Sequence, residues 1–205
     1  INLDTPGKDT QRHREAGSNA TAILQENTTA VFLDRYLTLQ QAAEYLGPLD
    51  FLVIEGFKTL GTHARILVPR ENGELDSLRN GLEIAIVKVP DSKYDAETDL
   101  PVLSLDKASM LADIVEAKAY PLLPGLNCHG CGYDDCKEMG KALLAGEAQI
   151  NKCVGYGSSF SLRVNDQEVA MNNFTRATME NVILGFLKTL KGGDEARKIK
   201  LEFEK

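Results

Sequence analysis

Four cysteines lie between residues 122 and 153, and the chain has none elsewhere. Cys128, Cys131 and Cys136 follow the spacing C-x2-C-x4-C, and Cys153 comes after sixteen further residues. Unrelated buried thiols scatter along a sequence, whereas thiols confined to one segment point to a shared task. Gly125, Gly130 and Gly132 surround the first pair, and such residues let a backbone curl tightly and turn its amides inward. The intervening "KEMGKALLAGEAQINK" is helical enough to carry the chain away from Cys136 and return it beside the first three at Cys153. Four thiolates converging in this way can hold a cubane iron–sulfur cluster or a tetrahedral zinc ion. Cys128 and Cys131 suit either, but the second pair is not a C-x2-C knuckle, which favours the cluster. Two disulfides are the remaining alternative; they suit secreted chains, and nothing here marks export.

The rest of the 205 residues reads as a folded globular chain, with 43% hydrophobic residues to build a core and no low-complexity tract. A net charge of -7 offers no basic stripe to displace counterions from phosphates, so nucleic acid is not an expected partner. Apolar runs such as "FLVIEGF" at 51–57 are too short to span a bilayer, so no membrane is expected and the cytoplasm is the expected location.

Strand and helix patterns alternate along the first 120 residues. "ATAILQE" (20–26) and "TTAVFLD" (28–34) are short strand-like runs around a polar turn. "TLQQAAEYLG" (38–47) opens on a threonine cap, keeps Leu39, Ala42, Ala43 and Leu46 on one face, and stops at Gly47. "LDFLVIEGF" predicts a strand buried on both faces of a parallel sheet. "HARILVPR", "LEIAIVKV" and "LPVLSL" (100–105) predict three more strands, and "DKASMLADIVEAKAY" (106–120) a helix capped by its first acidic residue, with a stripe through Met110, Leu111, Ile114 and Val115. The expected fold is α/β, a sheet covered on its faces. Two prolines in "YPLLPG" end this body. Beyond the cysteines, "FSLRVNDQEVAMNNF" (160–174) predicts two short strands around Asn165-Asp166, "NNFTRATMENVILGFLKTLKG" (172–192) a helix, and "RKIKLEFEK" an edge strand. The expected domains are a body at 1–120, a cysteine domain at 121–157 and a C-terminal α+β unit at 158–205.

Two stretches resemble known families. "LPGLNCHGCGYDDC" and the helix after it are similar to the small [4Fe-4S] domain of the electron-transfer subunit RnfB and of corrinoid iron–sulfur proteins. Leu123, Pro124, Gly125, Asn127, Gly132, Ala142 and Gly146 fall on that pattern, while His129 stands where a small Gly is usual and Gly140 where Ala is common. The resemblance implies a [4Fe-4S] cluster held by Cys128, Cys131, Cys136 and Cys153. His129 reads either as a cluster-tuning hydrogen-bond donor or as a solvated loop histidine, the second being the commoner fate.

"DTPGKDTQRHREAGSNAT" (4–21) and "FLVIEGFK" (51–58) resemble the two signatures of the molybdopterin-guanine dinucleotide biosynthesis accessory proteins, the MobB family, and "ARILVPR" and "DLPVLSLDK" fall where that family has later strands. The resemblance implies a P-loop NTPase-like, mostly parallel sheet that binds GTP with Mg²⁺ and assists the molybdopterin guanylyltransferase or a molybdoenzyme, as a homodimer and at most as a slow GTPase. The string G-x4-G-K-[ST] is not in this sequence. The family has it upstream of the segment matched by Asp4, so the body is expected to be N-terminally incomplete here. On the matching positions, Asp4 is expected to reach Mg²⁺, Lys8, Arg12 and Arg14 to meet phosphate oxygens, and Glu55, at a strand's C-terminal end, to orient water as the catalytic carboxylate. The same residues also read as an ordinary turn at Asp4–Gly7 and an exposed helix face with a solvated His13.

Three functions follow. One is a GTP-binding accessory protein of molybdenum or tungsten cofactor maturation whose cluster senses redox state or docks a partner. A second is an iron–sulfur electron-transfer module gated by the nucleotide domain. A third is a structural zinc protein.

Overall fold

The two apolar runs on either side of residues 25–28 pair as an antiparallel hairpin, β1 (Ala20–Leu24) and β2 (Thr29–Leu33), with Ala20 opposite Leu33 and Leu24 opposite Thr29. The Gln25 N–H closes the turn on the Thr28 carbonyl at 2.8 Å. The structure is a computed structural model that describes residues 6–95, 97–156, 160, 162–165, 167–171, 173–193, 199 and 201. The chain divides into two units, Ile1–Ile54 and Glu55–Lys205.

In the first unit, helix α1 (Asp9–Glu15) precedes the hairpin. Arg14 ties it down: its guanidinium takes both Asp34 carboxylate oxygens, the shortest contact 2.8 Å, and lies 5.1 Å over the Phe32 ring. Such a fork-to-carboxylate pair is fixed in direction as well as distance. Helix α2 (Leu39–Glu44) starts where the threonine cap predicts. The Thr38 hydroxyl accepts the Gln41 N–H and the Gln41 side chain accepts the Thr38 N–H, satisfying two otherwise orphaned donors.

The strand expected over 49–57 does not form. Residues 51–57 have no regular structure, and Val53 is 92% exposed. Burial still alternates along residues 51–55 as it would in a strand. Among the described residues, however, no neighbour pairs with this run, and an apolar segment without a ladder partner leaves its backbone groups to water.

The second unit is built on a three-stranded parallel sheet in the order β3 (Arg65–Leu67), β4 (Glu83–Lys88), β5 (Val102–Ser104). Helix α3 (Glu74–Leu78) joins β3 to β4, and helix α4 (Ala108–Lys118) follows β5. The central strand is buried without interruption from Ile84 to Val87, as a parallel strand covered on both faces requires. Leu67, Leu75, Ile86 and Tyr94 form the core here, with Leu78 and Leu100 packed against them. Each fully buried aliphatic side chain stabilises it by about 1.5–3 kcal/mol.

Asp106 does not cap α4. Its carboxylate is taken by the Ser104 hydroxyl, residues Leu105–Lys107 wind into a 3-10 turn, and Lys107 occupies the cap position without a side-chain bond. Of the expected apolar stripe, Leu111, Ile114 and Val115 are half-buried while Met110 is exposed.

After residues 119–135, helix α5 (Cys136–Leu144) and a 3-10 turn (Ile150–Lys152) lead to Cys153. The tail forms a small antiparallel hairpin, β6 (Arg163–Val164) and β7 (Gln167–Glu168), and then helix α6 (Asn173–Leu187). Asn165 begins the predicted turn in the left-handed region; Asp166 lies outside the described residues, as does the predicted edge strand over 197–205 apart from Ile199 and Leu201. Among the described residues no helix is long and apolar enough to cross a membrane.

Candidate metal centre

Cys128, Cys131, Cys136 and Cys153 all line one cleft, together with Pro124, Asn127, His129, Met139 and Val154. None is in a disulfide; Cys153 is buried and the other three are half-buried. Cys131, Cys136 and Cys153 also belong to a small apolar core around Leu123 and Met139, against which Tyr120, Tyr133, Leu143, Ala148 and Ile150 pack.

Local sequence explains how the loop brings them together. Asp135 caps α5, its carboxylate accepting the Glu138 N–H at 2.7 Å, so Cys136 becomes the first residue of the helix. The Cys136 N–H donates to Asn127 Oδ1 at 2.9 Å, latching the helix start onto the residue before Cys128. Asn127 and His129 both stand in the left-handed region, at φ 46° and 56°, on either side of Cys128. Asn and His enter that region more readily than most side chains, but it still costs a residue with a Cβ roughly 1–2 kcal/mol, and His129 stands where the resembled family usually has Gly. His129 also lines the cleft.

Burial pushes the Cys136 thiol above its ordinary range, and the nearby Cys153 and Cys128 add to that push. The backbone N–H groups of Asn127 and Gly125 act in the opposite sense. These are surroundings in which several thiolates coexist only if positive charge lies between them. Among the described residues no group of three or more His, Cys, Asp or Glu side chains stands close enough to hold a single metal ion. Zinc thiolates sit about 2.3 Å from the ion, which puts their sulfurs roughly 4 Å apart. A cluster has irons and sulfides between its thiolates and spaces them more widely. Four cysteines sharing one cleft are a donor set of the number and kind that a cluster takes.

The cysteine segment is keyed into the rest of the second unit. The Leu123 N–H donates to the Thr62 carbonyl at 2.9 Å, and Leu123 is fully buried. Helix α5 lies against three close approaches. A Cβ at Gly61 would come within 2.7 Å of the Lys137 stem, one at Gly81 within 2.5 Å of the Lys141 stem, and one at Gly140 within 2.5 Å of Tyr120 Oη and 2.9 Å of Leu82 Cδ2. Gly140 therefore stands where Ala is common in the resembled family because the tyrosine hydroxyl and Leu82 take the space of a methyl group. Burial first, and the Cys136 thiolate second, push the Tyr120 hydroxyl above its ordinary pKa.

Asp4 lies outside the described residues. Lys8 is the exposed N-cap of α1, and Arg12 follows one turn later, paired with Asp9 at 3.8 Å. Arg14 is engaged with Asp34. Glu55 is exposed in a stretch without regular structure. Asn127 was legible only as a match to a pattern, and the contact of Tyr120 with Gly140 not at all. Asp135, an Asp directly before a helical run, carries a cap signal that the sequence does offer.

Together these features define a class: an α/β body joined in one chain to a four-cysteine iron–sulfur domain. Residues 1–96 match the family model described as "Molybdopterin guanine dinucleotide synthesis protein B", MobB. Residues 123–154 match the model described as "Putative Fe-S cluster". A protein of Methanocaldococcus jannaschii named "Putative molybdopterin-guanine dinucleotide biosynthesis adapter protein" is 26% identical over 209 residues, which cover 100% of this chain and 82% of that protein. No solved structure matches. Residues 1–96 are thus a MobB-family domain and residues 123–154 an Fe-S cluster-family domain.

Proposed function

We propose that the chain is a GTP-binding accessory protein of molybdopterin-guanine dinucleotide synthesis and that Cys128, Cys131, Cys136 and Cys153 hold a [4Fe-4S] cluster with a redox-sensing or docking role. The observation that carries the reading is the cleft shared by all four thiols in a chain whose first 96 residues are a MobB domain. The match of residues 123–154 to an Fe-S cluster family model supports a cluster over zinc.

When bound, such a cluster supplies one-electron redox chemistry at a potential set by net charge, hydrogen bonds and exposure. The chain's own residues do the rest. Asn127 and Asp135 hold Cys136 at the start of α5. Met139 and Leu123 exclude water from the inner side of the site. On the nucleotide side, Lys8 and Arg12, one turn apart on α1, are the cations that meet phosphate, with Arg14 exchanging Asp34 for a phosphate oxygen. Asp4 reaches Mg²⁺, and Glu55 orients water for slow hydrolysis at most. GTP binding requires a P-loop, G-x4-G-K-[ST], which is not in these 205 residues. The working parts are then the body at 1–120, the cluster domain at 121–157 and the C-terminal unit at 158–205. The partner is the guanylyltransferase or a molybdoenzyme, the oligomer a homodimer and the location the cytoplasm.

The test is metal and sulfide analysis of protein purified without oxygen, followed by GTP affinity before and after reduction, on a chain that includes a P-loop. About four irons and four sulfides per chain are expected, with a GTP Kd that changes on reduction. About one zinc and no sulfide would overturn the cluster. A full cluster with an unchanged Kd would remove redox sensing and leave docking.

A further inference from the structure

The C-terminal helix reaches back to the cysteine site through one residue. Cys153, the last of the four ligands, is buried, and the next residue, Val154, lines the cleft. Arg176 on α6 donates from Nη1 to the Val154 carbonyl. Val154 also touches the other end of the ligand set: a Cβ at Gly130, between Cys128 and Cys131, would run into the Val154 side chain. The position of Val154 therefore governs both the C-x2-C turn and the fourth ligand. The nearer cation in sequence, Lys152, is engaged elsewhere, its Nζ 4.5 Å above the Tyr133 ring.

The second observation is an unmet donor. Arg176 Nε is buried and has no hydrogen-bond partner among the described residues. A buried guanidinium N–H left unpaired is costly, and more so because the group is charged. Something negative belongs beside it, and a four-thiolate cluster is the negative group that this cleft is built to take.

We infer that Arg176 is a positioning residue for the iron–sulfur centre: it fixes the Cys153–Val154 backbone through Nη1 and sets a buried positive charge behind the residues that line the site. The inference rests on the iron–sulfur reading of the four cysteines. It makes two separable effects. Holding Val154 slows escape of the cluster, and a cation beside it favours the more negatively charged reduced state, raising the reduction potential. It also makes α6 part of the cluster site, so the C-terminal unit feels whether the cluster is present.

The experiment compares the intact, anaerobically reconstituted protein with R176Q and R176K, reading iron and sulfide content, the midpoint potential by EPR-monitored redox titration, and iron release to a chelator. R176Q should fill with iron, titrate at a more negative potential, and release iron about 10-fold faster or more. R176K keeps the charge but loses Nε–H and the planar fork, and should fall between. If R176Q does not fold, R176K decides alone. Unchanged potential and release in both variants overturns the inference. Faster release with an unmoved potential overturns it too, because a mere structural prop changes only the first. Wild-type protein that takes up no iron or sulfide overturns the cluster reading itself, an outcome distinct from a filled site indifferent to Arg176.

Discussion

Replacing Gly140 by alanine sets two well-known effects against each other. In a helix interior, alanine is favoured over glycine by about 0.8–1 kcal/mol. Here the new methyl would sit 2.5 Å from Tyr120 Oη, 2.9 Å from Leu82 Cδ2 and 3.3 Å from Tyr120 Cζ. Leu82 is 0% exposed and the Tyr120 hydroxyl is buried, so neither neighbour can swing into solvent. Overpacking of this kind costs about 1–3 kcal/mol. Subtracting the propensity gain leaves Gly140→Ala destabilised by about 0–2 kcal/mol.

Tyr120→Phe removes the atom in closest conflict. That hydroxyl has no hydrogen-bond partner among the described residues, so its loss relieves a desolvated group instead of breaking a bond, and the single variant should be neutral or slightly stabilised. In the Y120F background, G140A should recover part of its helix propensity, giving a favourable coupling of about 1 kcal/mol. The assay is urea unfolding followed by circular dichroism without oxygen, comparing midpoints at constant slope. A G140A protein more stable than wild type by about 1 kcal/mol, with no coupling to Y120F, would refute the reasoning.

Thr38→Ala should cost about 1 kcal/mol by removing the acceptor of the Gln41 N–H, while the backbone N–H of residue 38 can still donate to Gln41 Oε1, and hydrogen exchange should speed up in α2 without changing in β3–β5. Burial, and secondarily the Arg65 charge, hold the His63 pKa below its ordinary 6.5. The unfolded chain therefore takes up that proton first, and the stability His63 contributes is present above pH 6.5 and lost as pH falls through its folded pKa. Urea midpoints measured across that window should fall with pH in wild type and flatten in His63→Gln. Hydrogen bonding to Arg14 likewise holds Asp34 below 3.8, so this bridge helps above that pH and fades as acid protonates the carboxylate; Asp34→Asn should abolish that part of the acid dependence, read by proteolysis of the hairpin.

What could be read from the sequence divides by distance along the chain. The hairpin at 20–33, the Thr38 cap, the three strands from Arg65 to Ser104 and the helix after Cys136 are all specified by patterns within a dozen residues, and each forms. Asp106 had the right composition for a cap but a serine two positions earlier captured its carboxylate, a local competition between two plausible acceptor arrangements. The run at 51–57 had the composition of a buried strand, but strand formation depends on a partner that no local pattern supplies. The cysteines announced their cleft through spacing. Arg176 and Tyr120 did not, because a charged residue on a helix and a tyrosine before a proline look ordinary until folding brings them to Val154 and Gly140.

The close approach of α5 to Gly61, Gly81 and Leu82 bears on separability. Those three residues lie within the MobB match, while α5 belongs to the Fe-S match. Small cysteine domains are often treated as detachable cassettes. Here a cut near residue 121 would strip the cover from Leu82 and leave Thr62 O without the Leu123 N–H. The excised piece would in turn present the stems of Lys137 and Lys141 with nothing to lie against. Exchange of this domain between proteins would succeed only where the recipient also lacks side chains at the positions of Gly61 and Gly81, so the two halves are constrained to change together.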